Sequence, residues 1–273
     1  IFMLYTKTYA EFIGPTDVLS ITYGSGNGQV GLQHGDTEDS FPSCFEVSSS
    51  GRIAICDIVN DRVVIFRADG VFERNIIILT LSMAFDLQEN LILSAKLQKY
   101  DNNGQLLWVK TEGFHDVEVV SDKIIGYNMD TKTYSLYSPT GALIRTTTER
   151  PLELGRVKEK KTAAGYIYTI QYPDLVNPNT VKTYTVSRLY PCSNYTRDKN
   201  GNLYCIGDNG VIRFDEQGNE IASVIIPESS FQEIPRGPGV EPKIKVIAQY
   251  GEPVISPNGD VYTWKRTPER YSI

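Results

Sequence analysis

The chain has 273 residues, of which 41% are hydrophobic and 22% charged, and its 33 acidic and 27 basic side chains leave a net charge of −6. An acidic balance argues against a nucleic-acid partner, because phosphate recognition needs a basic surface. The longest strongly apolar run, 75–83, is interrupted by Thr80 and Ser82 and falls short of a membrane-spanning helix. We therefore expect neither nucleic-acid binding nor a membrane-spanning segment.

One pattern, a short polar turn between two apolar β-rich runs, occurs six times, most explicitly as FEVSSSGRIAICDIVNDRVVIFRADGVF at 45–72. The first residue after each turn anchors its copy, and these anchors are Arg52, Asn90, Lys123, Tyr166, Asn202 and Asp260. Successive anchors are 38, 33, 43, 36 and 58 residues apart, near the roughly 40 to 50 residues of a four-stranded propeller blade. The pattern predicts an all-β fold, a six-bladed β-propeller of four-stranded antiparallel blades forming a single domain over 1–273.

The two ends of the chain are expected to meet in one sheet. A second polar turn recurs in four copies, at 67–70, 101–104, 138–141 and 215–218. The final copy, from 254 onward, supplies only three recognisable strands, and a lone strand, VLSITY at 18–23, precedes the first full blade. We predict that this N-terminal strand pairs into the last blade, because such pairing removes an exposed edge and closes the ring. Little helix is expected, and 153–161 is predicted to be a loop or strand connection.

The first copy carries a further motif: proline before the inner strand, glycine before the second, aspartate ending it, asparagine and Arg-Val opening the third, and glycine in the last turn. These positions are Pro42, Gly51, Asp57, Asn60, Arg62, Val63 and Gly70. With the lead GSGNGQVG, this copy resembles the NHL repeat, whereas the other copies keep the strands and lose much of the motif. Asp57 and Asn60 are expected to bond nearby backbone amides, and Arg62 to pair with Asp57 or an adjacent blade, or else to reach the ring face as a contact residue.

The resemblance also implies an enzymatic alternative, since six-bladed relatives include calcium-dependent lactonases and lyases that use histidine. The chain has two histidines, His34 and His115. His34 lies in a polar loop and is expected to be exposed. His115 opens the predicted inner strand of blade three, at the channel mouth, with Asp116 beside it. These two residues are the catalytic candidates.

A metal site in this alternative would need ligands from the inner strands of several blades. The candidates at comparable inner-strand positions are Glu46, Asp86, Asn194 and Glu252. Polar residues are expected at a water-filled channel mouth in any case. No nucleophile elbow, phosphate-binding loop or HExxH motif occurs. We therefore predict no cofactor, and a divalent cation such as calcium belongs to the alternative.

Two segments depart from the repeat: a long blade-four hairpin at 172–180 and a Pro- and Gly-rich insertion at 227–251. Insertions into repeats map to loops that often form a binding face, and tyrosine, with 17 copies here, is enriched at interfaces. The predicted partner-binding residues are Tyr172, Asp174, Phe231, Arg236 and Tyr250. We predict a non-catalytic binding or scaffold propeller for a protein or glycan, with the channel-mouth lactonase- or lyase-like enzyme as the alternative.

The four cysteines lie around the first and fifth hairpins, as Cys44, Cys56, Cys192 and Cys205. Simple pairing across the turns places Cys44 opposite Ile55 and Cys205 opposite Asn194, so a disulfide would need a bulge and buried free thiols are expected. The acidic charge, the abundant Tyr, Thr and Asn, and the resemblance to exported propellers favour a periplasmic, cell-surface or extracellular location.

Overall fold

The computed structural model describes residues 18–35, 39–42, 44–188, 191–192, 194–207, 210–234, 243–250 and 253–273. This part contains 26 strands and one short 3-10 turn, Leu152–Leu154. No helix in it is long and apolar enough to cross a membrane. The fold class is that of a six-bladed β-propeller, as predicted from the repeat.

The chain divides into two compact units. The larger unit comprises Asp17–Leu154 and Glu228–Ile273 and holds blades one, two, three and six. The smaller unit comprises Gly155–Pro227 among the described residues and holds blades four and five.

The larger unit begins with a lone strand, β1 (Ser20–Thr22), followed by three sheets of four antiparallel strands each. Blade one consists of β2 (Phe45–Val47), β3 (Ile53–Asp57), β4 (Arg62–Phe66) and β5 (Phe72–Ile77). Blade two consists of β6 (Met83–Phe85), β7 (Leu91–Leu93), β8 (Gln98–Tyr100) and β9 (Leu106–Val109). Blade three consists of β10 (Asp116–Val120), β11 (Lys123–Asn128), β12 (Thr133–Tyr137) and β13 (Leu143–Thr147).

In the smaller unit, blade four has three described strands, β14 (Arg156–Thr162), β15 (Gly165–Pro173) and β16 (Val181–Arg188). Blade five has four, β17 (Asn194–Arg197), β18 (Leu203–Gly207), β19 (Gly210–Phe214) and β20 (Glu220–Ile225). The segment predicted as a loop or strand connection at 153–161 is largely β14, preceded by the 3-10 turn. Its first six residues are all exposed and most of them are charged, which suits an edge strand.

Blade six is assembled from both ends of the chain. One five-stranded sheet contains β21 (Ser230–Ile234), β22 (Lys243–Tyr250), β25 (Lys265–Arg266) and β26 (Arg270–Ser272) together with β1. Strands β23 (Val254–Ile255) and β24 (Val261–Tyr262) pair with each other in a separate two-stranded sheet. Strand β1 pairs antiparallel with β26, with Ile21 opposite Tyr271. The predicted closure by the N-terminal strand is therefore confirmed. The insertion at 227–251, expected to form a loop, instead contains the antiparallel pair β21 and β22, and β22 also pairs with β25.

Recurrent side-chain hydrogen bonds explain why the turns share a sequence pattern. The side-chain amides of the anchors Asn90 and Asn202 donate to the carboxylates of Asp86 and Asp198, at 2.9 and 2.7 Å. Each aspartate thus accepts bonds inside its own turn and fixes its geometry. The second turns end in a glycine with positive φ, 76° at Gly70 for instance, a conformation that costs glycine little.

The prediction of free thiols is wrong, because Cys44 is bonded to Cys56 with Cα atoms 5.3 Å apart. Phe45 pairs with Ile55, which puts Cys44 opposite Cys56 and not opposite Ile55. The expected register was off by one residue because the turn is longer than assumed: the amide of Ser48 donates to the carbonyl of Arg52 at 2.9 Å. Register alone thus brings the two sulfurs together.

The second disulfide joins Cys192 and Cys205, with Cα atoms 5.7 Å apart. Here the ladder places Tyr195 opposite Cys205, again one residue from the predicted pairing with Asn194. Cys192 precedes β17 and reaches Cys205 from outside the ladder. All four cysteines are paired, and disulfides persist in oxidising compartments. The pairing therefore indicates a non-cytoplasmic setting.

Candidate functional site

Two inner strands of the larger unit present carboxylates on the face away from the core. Strand β2 lies beside β6, and β6 lies beside β10. In β2, Phe45 and Val47 are buried in the core with Glu46 between them. In β10, Val117 is buried in the core with Asp116 and Glu118 on either side. Because side chains alternate along a strand, these three acids lie opposite the core-facing residues.

The environment of the two glutamates raises the pKa of each carboxyl group towards or above neutral pH. Burial raises the pKa of Glu46 to about 8, and the charges of Glu118 and Asp116 add to the effect. Burial also raises the pKa of Glu118 to about 7, assisted by Asp116 and opposed by the guanidinium of Arg150. Desolvation and like charge both disfavour the ionised form. The two glutamates are thus suited to donate or exchange a proton.

A cavity of about 200 Å³ opens beside β10. Its lining residues are Asp116, Glu118, Ile125, Tyr127, Tyr134, Arg150 and Leu154. The ladder places Asp116 opposite Tyr127 and Glu118 opposite Ile125, so β10 and β11 form one wall. The rings of Tyr127 and Tyr134 are 4.7 Å apart and inclined by 34°. The cavity therefore combines acidic, aromatic, aliphatic and cationic surfaces.

The two catalytic candidates are adjacent but have different surroundings. The Nδ1 atom of His115 accepts a hydrogen bond from the backbone amide of Met129 at 3.0 Å. The backbone amide of His115 donates to the carbonyl of Tyr127 at 2.9 Å. His115 therefore extends the β10–β11 pairing by one residue, and β10 itself begins at Asp116. Asp116 accepts a 2.6 Å hydrogen bond from the hydroxyl of Ser82. Of the pair, Asp116 lines the cavity.

The predicted metal ligands are placed differently from one another. Glu46 lies within electrostatic reach of Asp116. Asp86 forms a buried ion pair with Lys99 at 2.7 Å and holds its own turn, while Asn194 is exposed and accepts from the amide of Tyr195. Glu252 lies outside the described residues. Among the described residues, no three His, Cys, Asp or Glu side chains are grouped as a metal ion would require.

The NHL-like motif residues form a structural network in blade one. The carboxylate of Asp57 accepts from Arg62 at 2.8 Å, from the side chain of Asn60 at 2.8 Å and from the amide of Gly31 at 2.8 Å. Arg62 also donates to three backbone carbonyls in the segment 25–29, at 2.8 to 3.1 Å. Its partners are thus in the glycine-rich lead. Arg62 is 6% exposed, and these hydrogen bonds all lie within blade one and its lead.

The blade-four hairpin has a buried base and an exposed tip. Tyr172 is buried and its hydroxyl donates to the carbonyl of Tyr195 at 3.0 Å, so this predicted partner contact instead packs inside the unit. Asp174 accepts from the amides of Val176 and Asn177 at 2.8 and 3.0 Å. These two hydrogen bonds lower the pKa of Asp174, and the bond from Asn177 has the larger effect.

Three other predicted partner contacts belong to the insertion before blade six. The backbones of Phe231 and Tyr250 lie in β21 and β22. Their side chains, and Arg236 as a whole, lie outside the described part of the chain.

Sequence reasoning did not identify Glu118, Arg150 or the two tyrosines of the cavity wall. The signal for Glu118 was present, because the run Asp116-Val-Glu-Val alternates polar and apolar residues with the period of a strand. Arg150 comes from an irregular segment that follows β13, and no repeat position marks it.

No known protein family and no curated protein matches this sequence. Solved structures with a similar fold include a streptogramin B lyase, at 10% identity over 88% of this chain and 95% of that one, with a TM-score of 0.46. A structure of the nidogen/laminin complex matches at 11% identity over 69% and 84%, with a TM-score of 0.44. A Bacteroides caccae protein of unknown function matches at 12% identity over 68% and 82%, with a TM-score of 0.43. Similarities this low transfer no function.

Proposed function

We propose that this protein is a non-catalytic binding propeller of an extracytoplasmic compartment, and that it recognises a protein partner through the tip of the blade-four hairpin, 174–180. The observation that carries the proposal is the exposure of two aliphatic side chains on a well-ordered turn. Val176 is 94% exposed and Leu175 is 43% exposed. Exposed apolar groups on a loop held by a rigid scaffold are typical of a contact surface.

The tip is ordered before any partner arrives. Besides the two bonds to the carboxylate of Asp174, the backbone amide of Asp174 donates to the carbonyl of Thr180 at 2.9 Å. The amide of Thr180 donates to the carbonyl of Asn177 at 2.9 Å. A loop already fixed in its bound shape loses little conformational entropy on binding. Val176 is thus presented as a preorganised apolar contact.

Charged groups surround the base of the hairpin. Arg197 donates to the carbonyl of Pro173 at 2.8 Å and lies over the ring of Tyr172. Lys182 forms an ion pair with Glu216 at 2.7 Å. An apolar centre with a polar rim is the usual anatomy of a protein interface. This arrangement favours a protein partner over a glycan.

The finer assignments belong to the same proposal. The Asp57–Arg62 network supports placing blade one among NHL-type repeats, because those motif residues make the contacts that such a motif would need. The two disulfides support a periplasmic, cell-surface or extracellular location.

Site-specific photo-crosslinking tests the proposal. In one variant a photoreactive residue replaces Val176. In the matched control it replaces Ile225, which lies at the end of β20 in the same unit and is 79% exposed. We expect a proteinase-sensitive adduct of defined mass from position 176 alone, formed in the native host. The partner identified from it should bind the purified Val176→Asp variant at least about 10-fold more weakly than wild type, and Ile225→Asp with unchanged affinity. Equal labelling at both positions, or an adduct resistant to proteinase, contradicts a protein-binding tip.

A further inference from the structure

The cavity beside β10 has more acidic than basic groups in its wall. Asp116 and Glu118 both line it, against the single guanidinium of Arg150. Glu46 lies outside the lining but interacts electrostatically with both acids. We propose that this cavity binds a ligand with a primary ammonium group on a short alkyl stem, such as an alkylamine or a lysine side chain.

Glu118 has acceptor capacity that the protein does not use. Within the described part of the chain, no hydrogen-bond donor is bonded to its carboxylate, and the charged groups that it interacts with are Asp116, Arg150 and Glu46. An ionised carboxylate offers about four lone-pair positions, and an ammonium group offers three donors. Asp116 is oriented by the hydroxyl of Ser82 at 2.6 Å and by the amide of Val117 at 2.9 Å. Both carboxylates line the same cavity, so a cation bound there can interact with both.

The rest of the wall suits an alkylammonium better than a bare metal ion. Tyr127 and Tyr134 present two neighbouring rings, and aromatic faces attract organic cations. Ile125 and Leu154 provide aliphatic surface for a stem. Arg150 donates to the carbonyl of Leu154 at 3.1 Å, which ties its guanidinium to the cavity rim.

Proton exchange should accompany binding. The groups that face Glu118 are Asp116 on its own strand, Glu46 from β2, Arg150 after β13, and Tyr127 and Tyr134 from β11 and β12. An ammonium group competes with the protons that the two glutamates hold, so affinity should rise as pH increases through their pKa values of about 7 and about 8.

Calorimetric titration with n-butylammonium, and with n-butanol as a neutral probe of the same shape, tests this site. We expect n-butylammonium to bind and n-butanol not to bind, with the affinity for n-butylammonium rising between about pH 6 and about pH 8.5. Glu118→Gln should weaken binding by about 10-fold or more, the usual effect of losing a charged hydrogen bond. The matched control, Glu269→Gln, alters an exposed glutamate in the β25–β26 turn and should bind like wild type.

A second variant separates loss of the site from loss of the fold. Tyr134→Leu keeps both carboxylates and removes one aromatic face, and it should weaken n-butylammonium several-fold while its thermal unfolding stays cooperative. Equal binding of the two probes, or unchanged affinity in Glu118→Gln, overturns the proposal. So does a calcium ion that binds more tightly than n-butylammonium and depends on Glu118, because that result identifies a metal site.

Discussion

Two acidic sites in the larger unit, at Asp57 and at Glu118, differ in how their charge is compensated. Asp57 is 0% exposed and accepts hydrogen bonds from Arg62, Asn60 and Gly31. Glu118 accepts none from the described residues and is adjacent to a second carboxylate, Asp116.

The difference separates a structural charge from an available one. The compensated aspartate is fully used in joining β3 and β4 to the glycine-rich lead at 24–31, so nothing remains for a ligand. The uncompensated glutamate instead reduces its charge by retaining a proton, and its pKa rises to about 7. A desolvated carboxyl group without a hydrogen-bond donor costs stability, and such groups concentrate where a protein binds a ligand or catalyses a reaction.

Breaking the compensated site should give the largest effect. Arg62→Met leaves the buried charge of Asp57 without its cation and removes three donors from the carbonyls of 25–29. We expect the free energy of unfolding to fall by about 3–5 kcal/mol. Urea denaturation followed by tryptophan fluorescence measures this change.

Two variants show whether the effect is that of the pair. The double variant Asp57→Asn with Arg62→Met removes both charges and should recover part of the loss. Arg67→Met disrupts the Arg67–Asp69 pair of the same blade, which is more than half exposed, and should change stability little. A double variant no more stable than Arg62→Met shows that the backbone contacts of Arg62 carry the effect and the ion pair does not.

The Cys44–Cys56 disulfide lies next to Asp57 and should be second in effect. Replacing both cysteines by alanine removes a crosslink with a sequence separation of 12 residues, which corresponds to about 3 kcal/mol by loop-closure entropy. Denaturant unfolding of the double variant, with and without the Cys192 and Cys205 replacements, measures it. An unchanged unfolding midpoint contradicts a stabilising role for the crosslink in blade one.

Features encoded locally were predictable from the sequence, and features that depend on exact register were not. The polar turns located the hairpins because glycine and the Asp-to-Asn hydrogen bonds fix each turn within a few residues. The pairing of β1 with β26 followed from the one strand missing at the end of the repeat.

The disulfides and the cavity depended on finer geometry. One extra residue in the turn before Arg52 shifted the ladder by one and placed Cys44 opposite Cys56. The carboxylate cluster arises because β2 and β10 converge across β6, and no local pattern connects Glu46 with Glu118. Asp116 lines the cavity, whereas the ring of its neighbour His115 accepts a hydrogen bond from the backbone amide of Met129.

The uncompensated site should make stability depend on pH. Glu46 and Glu118 have pKa values of about 8 and about 7 in the folded protein against the usual 4.5, so the folded state binds more protons than the unfolded state between these limits. Their stabilising contribution is complete below about pH 4.5 and is lost as pH rises through 7 and 8. Because both side chains are partly exposed, solvent screening limits the loss to on the order of 2 kcal/mol.

The free energy of unfolding in urea, measured at about pH 5.5 and at about pH 9, tests this pH dependence. The interval includes both folded-state pKa values, and the carboxylates that form ion pairs stay ionised throughout it. The double variant Glu46→Gln with Glu118→Gln keeps neutral groups of the same shape and should show almost no change over that interval. Glu269→Gln should keep the wild-type slope. If the double variant retains the wild-type slope instead, the charge on Glu118 is compensated in the folded state, and the distinction from Asp57 fails.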